Sequence, residues 1–320
     1  MIKSDLLKYS SSKVFAPASI SNVGPGFDSF GFAIDQPGDI IEVYASNSKG
    51  VRIRNISGDQ GRISKNIAEN TASVGALSIL RKIKADFGVD IVIRKKMPFC
   101  SGLGSSAASA VGAVFAVNEL LKKKLTLNEL IYHGLEGEKI TSGNHAHADN
   151  VAPALFGGFT VVRSLEPMEI VRLPFPEELF CLVIFPHIEI KTEYARKILP
   201  KNISLRTAVR QAANSASLIA GILTRDFPLM SHSMTDYLAE PVRAKLIPCY
   251  EELKSIILSY KALNFNISGS GPALFSFFEK KDIFDLAGAA ARKFFKNASV
   301  KGTIFPTKVN NQGPKIIELR

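Results

Sequence analysis

Cysteine is scarce in this chain of 320 residues. The three cysteines, Cys100, Cys181 and Cys249, lie far apart, and none belongs to a CxxC pair. An odd number of isolated cysteines indicates free thiols in a reducing compartment rather than a disulfide framework. The first residues include Asp5 and no apolar run of the secretory type. We therefore expect a cytoplasmic protein.

Long apolar runs are also missing. No stretch approaches the roughly 20 apolar residues that a membrane-spanning helix needs, so we expect no membrane partner. The formal net charge is +11, but the basic residues are mostly scattered. Because no zinc-finger spacing and no basic strip interleaved with aromatic residues occurs, we expect no nucleic-acid partner. The charge indicates either a generally basic surface or a site for phosphate and carboxylate ligands.

Strand and helix patterns follow one another in an order typical of an α+β protein. Alternating apolar residues predict strands at 13–17, 40–45, 51–56 and 89–95. Apolar stripes and small-residue runs predict helices at 70–85, 105–121 and 125–143, followed by a turn and strand within 151–162. In the second half we expect strands at 179–185 and 273–278 and helices at 205–223, 248–260 and 283–294. We expect two domains, residues 1–165 and 166–320, the second a ferredoxin-like layer.

One glycine-rich loop is the most informative stretch. It reads Pro98-Phe99-Cys100-Ser101-Gly102-Leu103-Gly104-Ser105-Ser106-Ala107-Ala108. The two glycines allow a close backbone approach to a ligand, and the small residues after them begin a helix whose N–H groups attract phosphate. The two serines provide helix caps or a hydroxyl ligand for Mg²⁺. The stretch therefore predicts a polyphosphate-binding loop.

Two other phosphate-binding loops are less consistent with this stretch. Residues 102–107 fit the GxGxxA pattern of a dinucleotide-binding fold. However, residues 95–98 separate the loop from its strand, and the acidic residue expected about 20 positions later is missing. The Walker A pattern GxxxxGK[ST] does not occur in the chain.

Two companion motifs flank this loop in the sequence. The first is Ala16-Pro17-Ala18-Ser19-Ile20-Ser21-Asn22-Val23-Gly24-Pro25-Gly26-Phe27-Asp28, and the second is Ser268-Gly269-Ser270-Gly271-Pro272-Ala273. Asn22 and Asp28 are short polar residues in a glycine-rich turn, where they can bind amino and hydroxyl groups. Asn and Asp also favour such turns for conformational reasons alone, so each motif gains weight only beside the others.

Together these three stretches resemble the three motifs of the GHMP kinases, in the same order and over almost the whole chain. Within that family the sequence is most similar to the homoserine kinases, through the segments His147-Ala148-Asp149-Asn150-Val151-Ala152-Pro153, Gly157-Gly158, Thr192-Glu193-Tyr194-Ala195-Arg196 and Glu240-Pro241-Val242-Arg243. The resemblance implies an N-terminal ATP-binding domain of the ribosomal protein S5 domain 2-like type, with a left-handed crossover, and a ferredoxin-like C-terminal domain. It also implies a homodimer that uses ATP and Mg²⁺ to phosphorylate L-homoserine for threonine biosynthesis.

The resemblance also assigns roles to residues around the acceptor. Arg196 and Arg243 match the positions that bind the acceptor's carboxylate, for which guanidinium forks are suited. Asp28 matches a substrate-binding position, which we expect to bind the ammonium group, and Asn22 and His147 complete the polar pocket. Asp149 matches the position that faces the reacting hydroxyl. Whether it accepts the proton stays open, because phosphoryl transfer can proceed with little general-base help.

The resemblance assigns the remaining residues to the nucleotide and its metal. Thr192 lies where a hydroxyl can contact the γ-phosphate. Ser106 and Glu136 match the Mg²⁺ ligands, but the stretch from Glu136 to Asp149 is longer than usual, so Glu138 is the alternative. Asn70 is expected near the adenine.

Three other functions stay open on the residues alone. The run His145-Ala146-His147-Ala148-Asp149 fits the HxHxD motif of a zinc hydrolase. A non-catalytic nucleotide sensor of the same fold is a second alternative, although Ser106, Asp149 and Thr192 are all present. The third is a related kinase for mevalonate or a sugar, since mevalonate also carries a carboxylate.

Overall fold

The computed structural model of the chain describes residues 4–142 and 147–320. The strands are β1 (Ser11–Ser21), β2 (Phe30–Ser46), β3 (Gly50–Ser57), β4 (Gly88–Arg94), β5 (Phe159–Leu165), β6 (Met168–Leu173), β7 (Phe180–Pro186), β8 (Asn266–Ile267), β9 (Leu274–Phe278), β10 (Gly302–Thr307) and β11 (Lys315–Leu319). The helices are α1 (Thr71–Lys82), α2 (Ser105–Glu119), α3 (Leu127–Ser142), α4 (Ala148–Phe156), α5 (Thr192–Lys197), α6 (Leu205–Thr224), α7 (Phe227–Ser233), α8 (Glu240–Arg243), α9 (Tyr250–Ser259) and α10 (Lys281–Asn297).

The first sheet contains seven strands. Five follow the order β11-β1-β2-β4-β3, and the other two extend it, since β5 pairs with β2 and β6 with β5. Among the strand pairings that the described residues form in this sheet, only that of β3 with β4 is parallel; α1 connects those two strands. The long strand β2 pairs with β1, β4 and β5. It therefore forms the centre of the sheet.

Helix α2 lies close to the first sheet because its side chains are small. A Cβ atom at Gly112 would come within 2.6 Å of Ile41 in β2. Ala107, Ala113 and Ala116 are fully buried in the main hydrophobic core. This close approach holds the beginning of α2, and the glycine-rich loop before it, against the sheet.

The second sheet is antiparallel and has the strand order β10-β7-β9-β8. A separate hydrophobic core lies between this sheet and helices α9 and α10; Leu182, Leu274 and Leu253 are among its fully buried members. The two sheets and their helices correspond to the α+β architecture expected from the sequence. No helix in the described part of the chain is both long and apolar enough to cross a bilayer.

The chain returns to the first sheet at its end. Strand β11 pairs with β1, and β6 pairs with β5, although both strands lie beyond residue 165. The division into residues 1–165 and 166–320 stays a prediction. The chain therefore leaves the first sheet only after about residue 170. It then builds the second sheet and returns to the first sheet after residue 307.

Most predicted helices and strands are confirmed within a few residues, but several elements were missed. Residues 151–162 were expected to form a turn and then a strand, whereas α4 covers residues 148–156, with Pro153 near its middle, and the strand begins at Phe159. Strands β6, β10 and β11 and helices α5 and α7 were not predicted either. These elements are short, and β6 and β11 lie largely exposed, so their sequences carry little periodic signal.

Candidate active site

A cavity of about 520 Å³ is lined by residues from both halves of the chain. Most of the predicted site residues line it: Asn22, Asp28, Asn70, Phe99, Cys100, Ser101, Gly102, Leu103, Gly104, Ser105, Ser106, His147, Asp149, Thr192, Arg196 and Arg243. Four predicted residues lie elsewhere, namely Pro98, Ala107, Ala108 and Glu136. Ala107 and Ala108 are fully buried in the hydrophobic core, where they support the loop without facing the cavity.

The three glycine-rich segments meet at one edge of the cavity, in what we call the three-loop junction (residues 19–22, 101–104 and 268–273). Five hydrogen bonds join them: Gly269 N to Ser21 O (3.1 Å), Ala273 N to Ser101 O (3.0 Å), Ser19 N to Leu103 O (3.2 Å), Ser268 Oγ to Gly102 O (2.6 Å) and Asn22 Nδ2 to Gly269 O (3.2 Å). Because three of these five bonds use only backbone atoms, the junction depends mainly on close backbone contact.

Gly102 and Gly104 are needed for this contact. Their φ angles are 77° and 62°, in the left-handed region that favours glycine. A Cβ atom at Gly102 would lie 2.5 Å from the Ser268 carbonyl oxygen, and one at Gly104 would lie 2.0 Å from Ser19 Oγ. The sequence interpretation attributed both glycines to the approach of a ligand. The structure shows that the other two loops already require them.

The N-terminus of α2 opens onto the cavity directly after this loop. Its N-cap residue is Gly104, which has no side chain with which to cap the helix. The first N–H groups of an α-helix have no partner within the helix, and the helix dipole places partial positive charge there. Ser105 and Ser106, in the first turn, both line the cavity. This end of the cavity is therefore suited to an anion.

Glu138 and Ser106 lie together at this end of the cavity. Ser106 Oγ donates a hydrogen bond to Glu138 Oε1 over 2.9 Å, and only 3% of Glu138 is exposed. Glu136, the first choice from the sequence, pairs instead with Lys139 and is 49% exposed. Residues two positions apart on a helix point about 200° apart, so only one of the two glutamates can face the cavity. The structure brings Glu138 there.

Burial makes two carboxyl groups of the cavity, those of Glu138 and Asp149, weaker acids than usual. It raises the pKa of Glu138 to about 7, although the hydrogen bond from Ser106 opposes the rise. Burial also raises the pKa of Asp149 to about 7, and the negative charge of Asp28 adds to this effect. Each group therefore changes its protonation state near neutral pH unless a cation binds nearby.

Asp149 reaches the cavity because α4 lies directly against β2. A Cβ atom at Gly31 would come within 1.9 Å of the Asp149 carbonyl oxygen. His147 and Asn150 line the cavity from the same helix start. Asn150 also accepts a hydrogen bond from Ser19 and donates one to Ser21, which ties α4 to the three-loop junction. His145, part of the HxHxD pattern, lies outside the described residues.

Asp28 and Arg196 form an ion pair in the part of the cavity that also contains Arg243. The resemblance assigns these residues to the acceptor, so we call this part the acceptor end. One terminal nitrogen of Arg196 donates to both carboxylate oxygens of Asp28, at 2.9 and 2.8 Å. Asn22 holds the turn before Asp28, because its side-chain oxygen accepts from the Asp28 N–H and its nitrogen donates to the Gly269 carbonyl. Thr192 begins α5 and lies 3.4 Å from the Ser270 hydroxyl.

Arg243 is the most enclosed cation at this end. Only 4% of it is exposed, and it donates hydrogen bonds to the carbonyl oxygens of Ala195 and Gly269. Burial lowers its pKa, an effect that Asp28 opposes and Arg196 strengthens. Among residues 4–142 and 147–320, no carboxylate forms a salt bridge with it. A buried guanidinium bonded only to neutral groups is a suitable site for an anionic ligand group.

Asn70 has a structural role that the sequence interpretation did not include. Its side-chain oxygen accepts from the N–H groups of Ala72 and Ser73 and so caps α1. Its side-chain nitrogen donates to the Ser64 carbonyl. The residue lines the cavity, but these hydrogen bonds already occupy its amide, so an adenine contact stays a prediction.

Lys95 lines the cavity and was missed in the sequence. It forms a buried ion pair with Asp39, and its ammonium group also donates to Ser105 O at 2.9 Å and Ser109 Oγ at 3.0 Å. These bonds fix the first turn of α2, directly after the glycine-rich loop. The alternation of Val89, Ile91 and Ile93 places position 95 on the buried face of the strand, a signal that could have identified it.

Comparison with known proteins agrees with this geometry. The family model for the GHMP kinases N terminal domain matches residues 70–158, and that for GHMP kinases C terminal matches residues 218–297. A homoserine kinase from Chlorobium phaeovibrioides is 40% identical over 315 residues, which cover 95% of this chain and 98% of that protein.

Solved structures give the same result. The crystal structure of homoserine kinase from Cytophaga hutchinsonii has a TM-score of 0.93 and 44% identity, and the match covers 99% of each chain. Mevalonate kinase from L. major has a TM-score of 0.72 at 16% identity over 97% of this chain and 98% of that one, a likeness of fold alone. The predicted family and the predicted fold are thus confirmed. The chain belongs to the GHMP kinase family, among the homoserine kinases of that family.

Proposed function

We propose that this protein transfers the γ-phosphoryl group of Mg-ATP to the hydroxyl of L-homoserine, giving O-phospho-L-homoserine for threonine biosynthesis. One observation carries the proposal. The same cavity is lined by Ser105 and Ser106, at the uncapped N-terminus of α2, and by Arg243, which is buried. An acceptor with a carboxylate and a donor with a polyphosphate can therefore bind in a single cavity. A cytoplasmic location and a homodimeric state stay predictions.

The nucleotide end suits a triphosphate with its metal. Amides at a helix N-terminus bind phosphate oxygens, and the loop before α2 adds backbone N–H groups. The hydroxyl of Ser106 and the carboxylate of Glu138 are hard oxygen ligands that fit Mg²⁺, which usually binds one or two carboxylates together with substrate phosphates. In the described part of the chain, no cluster of three or more His, Cys, Asp or Glu side chains could hold a metal by itself. When bound, Mg²⁺ neutralises charge on the phosphates.

The acceptor end suits an amino acid. Arg243 and Arg196 can both donate to a carboxylate, and Asp28 can accept from an ammonium group. In the described structure Asp28 and Arg196 satisfy each other, so a zwitterion can replace that ion pair with one partner of the correct charge for each. A sugar offers neither charge, and mevalonate offers no ammonium group.

Asp149 lines the same cavity, and we assign it to the reacting hydroxyl. In its ionised form the carboxylate accepts a hydrogen bond from the acceptor's hydroxyl and orients the oxygen towards the γ-phosphorus. The oxygen–phosphorus bond forms as the bond to the leaving ADP oxygen breaks, and Asp149 can take the hydroxyl proton. Thr192 can donate its hydroxyl hydrogen to a γ-phosphate oxygen, because it begins α5 beside the glycine turn at residues 268–271.

The proposal is tested with a panel of acceptors. The purified protein with Mg-ATP should release ADP with L-homoserine at a kcat/KM at least about 100-fold above that with mevalonate or galactose, because only homoserine satisfies both Asp28 and the two arginines. A coupled assay of ADP formation measures this. Turnover of mevalonate with homoserine left unphosphorylated would identify a related kinase instead, and ADP release with no acceptor would contradict both.

Replacing Arg196 by lysine should separate the two substrates. Lysine keeps the charge but lacks the guanidinium fork, so Arg196→Lys should raise the KM for homoserine about tenfold or more and leave the KM for ATP within twofold. The control is Arg210→Lys, which alters an arginine that stacks on Tyr237 outside the cavity. Equal changes in both KM values would argue against a carboxylate-binding role for Arg196.

Replacing Asp149 by asparagine should cost activity and increase stability. The folded protein keeps a proton on Asp149 up to about pH 7, whereas the unfolded chain releases it near pH 4, so this residue lowers the free energy of unfolding as pH rises between those values. Asparagine does not ionise. The stability advantage of Asp149→Asn over the wild type should therefore grow by ~1–3 kcal/mol from pH 5 to pH 8, while kcat falls about 100-fold or more.

Denaturant unfolding without ligands at both pH values measures the first effect, and steady-state kinetics the second. Asp236→Asn is the matched control, because Asp236 is buried and accepts hydrogen bonds from the backbone N–H groups of residues 238–240. That variant should be less stable at both pH values. A destabilised Asp149→Asn protein, or one with kcat within threefold of wild type, would show that Asp149 has a structural role only.

A further inference from the structure

Phe27 lies in the turn between Asn22 and Asp28, two residues that line the cavity. Two guanidinium groups lie over its ring: the Cζ atom of Arg196 is 5.7 Å from the ring centroid and that of Arg243 is 5.4 Å away. Both distances are within the range of cation–π attraction. One aromatic ring is therefore shared by the two cations that the proposed function assigns to the acceptor's carboxylate.

The two arginines need such a neighbour. They are like charges at one end of the cavity, and Arg196 is among the groups that lower the pKa of Arg243. Arg196 has a counter-charge in Asp28, whereas Arg243, within residues 4–142 and 147–320, donates hydrogen bonds to the backbone carbonyls of Ala195 and Gly269. The negative face of an aromatic ring offsets part of this positive charge without occupying the position that a ligand carboxylate takes.

The turn around Phe27 is held firmly enough to position its ring. The Pro25 carbonyl oxygen accepts hydrogen bonds from Gln211 Nε2 (2.9 Å) and Ser215 Oγ (3.0 Å), both on α6. A Cβ atom at Gly24 would come within 2.6 Å of the Met234 carbonyl oxygen, so the turn also lies tightly against residue 234. The backbone before Phe27 is thus fixed, and on its other side the Asp28 N–H donates to Asn22 Oδ1.

A buried hydrogen-bond chain connects this turn with the helix that carries Arg243. Gln211, which is 6% exposed, donates to Asp236 as well as to Pro25. Asp236 in turn accepts from the N–H groups of Ala239 and Glu240, where α8 begins. The turn before Phe27 and the start of α8, at the two ends of this chain, are therefore held in one fixed relation.

We propose that Phe27 is a positioning residue for acceptor recognition: its ring keeps the guanidinium groups of Arg196 and Arg243 in place to receive one carboxylate. The inference rests on the proposed function. Phe27 does not touch the reacting atoms, so its loss weakens the binding of carboxylated acceptors and leaves the nucleotide and the chemical step unchanged.

Phe27→Leu tests this, because leucine keeps an apolar side chain without an aromatic face. The KM for L-homoserine should rise about tenfold, as expected for the loss of two cation–π contacts, with the KM for ATP within twofold and kcat within threefold of wild type. Phe27→Tyr keeps the ring and should stay within threefold in all three constants. The amino alcohol that lacks the carboxylate of homoserine should lose less than twofold in kcat/KM with Phe27→Leu.

Phe30→Leu is the matched control. Phe30 lies three residues further along, packs on Phe159 and contacts neither arginine among its ring contacts. The Phe30→Leu substitution should lower the melting temperature without changing the ratio of the KM for L-homoserine to the KM for ATP. Equal losses for acceptors with and without the carboxylate, or a Phe27→Tyr protein as impaired as Phe27→Leu, would overturn the inference. If the wild-type protein were inactive on homoserine, that result would instead contradict the proposed function. The Phe27 variants would then be compared with the wild type on the carboxylated alcohol that the acceptor panel identifies.

Discussion

Three glycine-rich loops meet backbone to backbone beside the cavity, and the site depends on that contact. Gly102 lies against the Ser268 carbonyl so closely that a single added carbon would come within 2.5 Å of it. Backbone hydrogen bonds then tie residues 19–22 to both partners. Because the loops come from distant parts of the chain, their junction brings the start of α2, the Asp28 turn and α5 around one cavity.

The charges around this cavity are arranged for ligands rather than for stability. Glu138 and Asp149 are buried carboxyl groups whose pKa values are raised to about 7, and Arg243 is a buried cation bonded to carbonyl groups. Each of these groups lowers the stability of the protein without ligands. Under the proposed function, Mg-ATP and a zwitterionic acceptor supply the missing counter-charges. Groups that lower the stability of the protein and serve binding or catalysis are common at functional sites.

Sequence alone predicted the family, the three motifs and most lining residues, because those depend on residue type and spacing. It could not choose between Glu136 and Glu138, since the choice depends on the rotation of α3 about its axis. It did not predict α4, because Pro153 and the small residues around it resemble a turn. The role of Gly102 and Gly104 in loop-to-loop contact depends on partners about 80 and 170 positions away, which no local pattern shows.

Lys95 and Phe27 have roles that depend on side-chain contacts and that no sequence motif predicts. Lys95 looks like a surface lysine at a strand end, yet it holds the first turn of α2 through Ser105 and Ser109. Phe27 looks like an ordinary residue of a glycine turn, yet two guanidinium groups lie over its ring. In both cases the side chain acts on its neighbours, so its importance is visible only where those neighbours are placed.

The most direct measurement is a crystal structure of the protein with Mg²⁺, a non-hydrolysable ATP analogue and L-homoserine bound together. The account predicts triphosphate density against the amides of residues 101–106, and the homoserine carboxylate within hydrogen-bonding distance of both Arg196 and Arg243. A nucleotide bound away from the start of α2, or a homoserine carboxylate that contacts neither arginine, would contradict it.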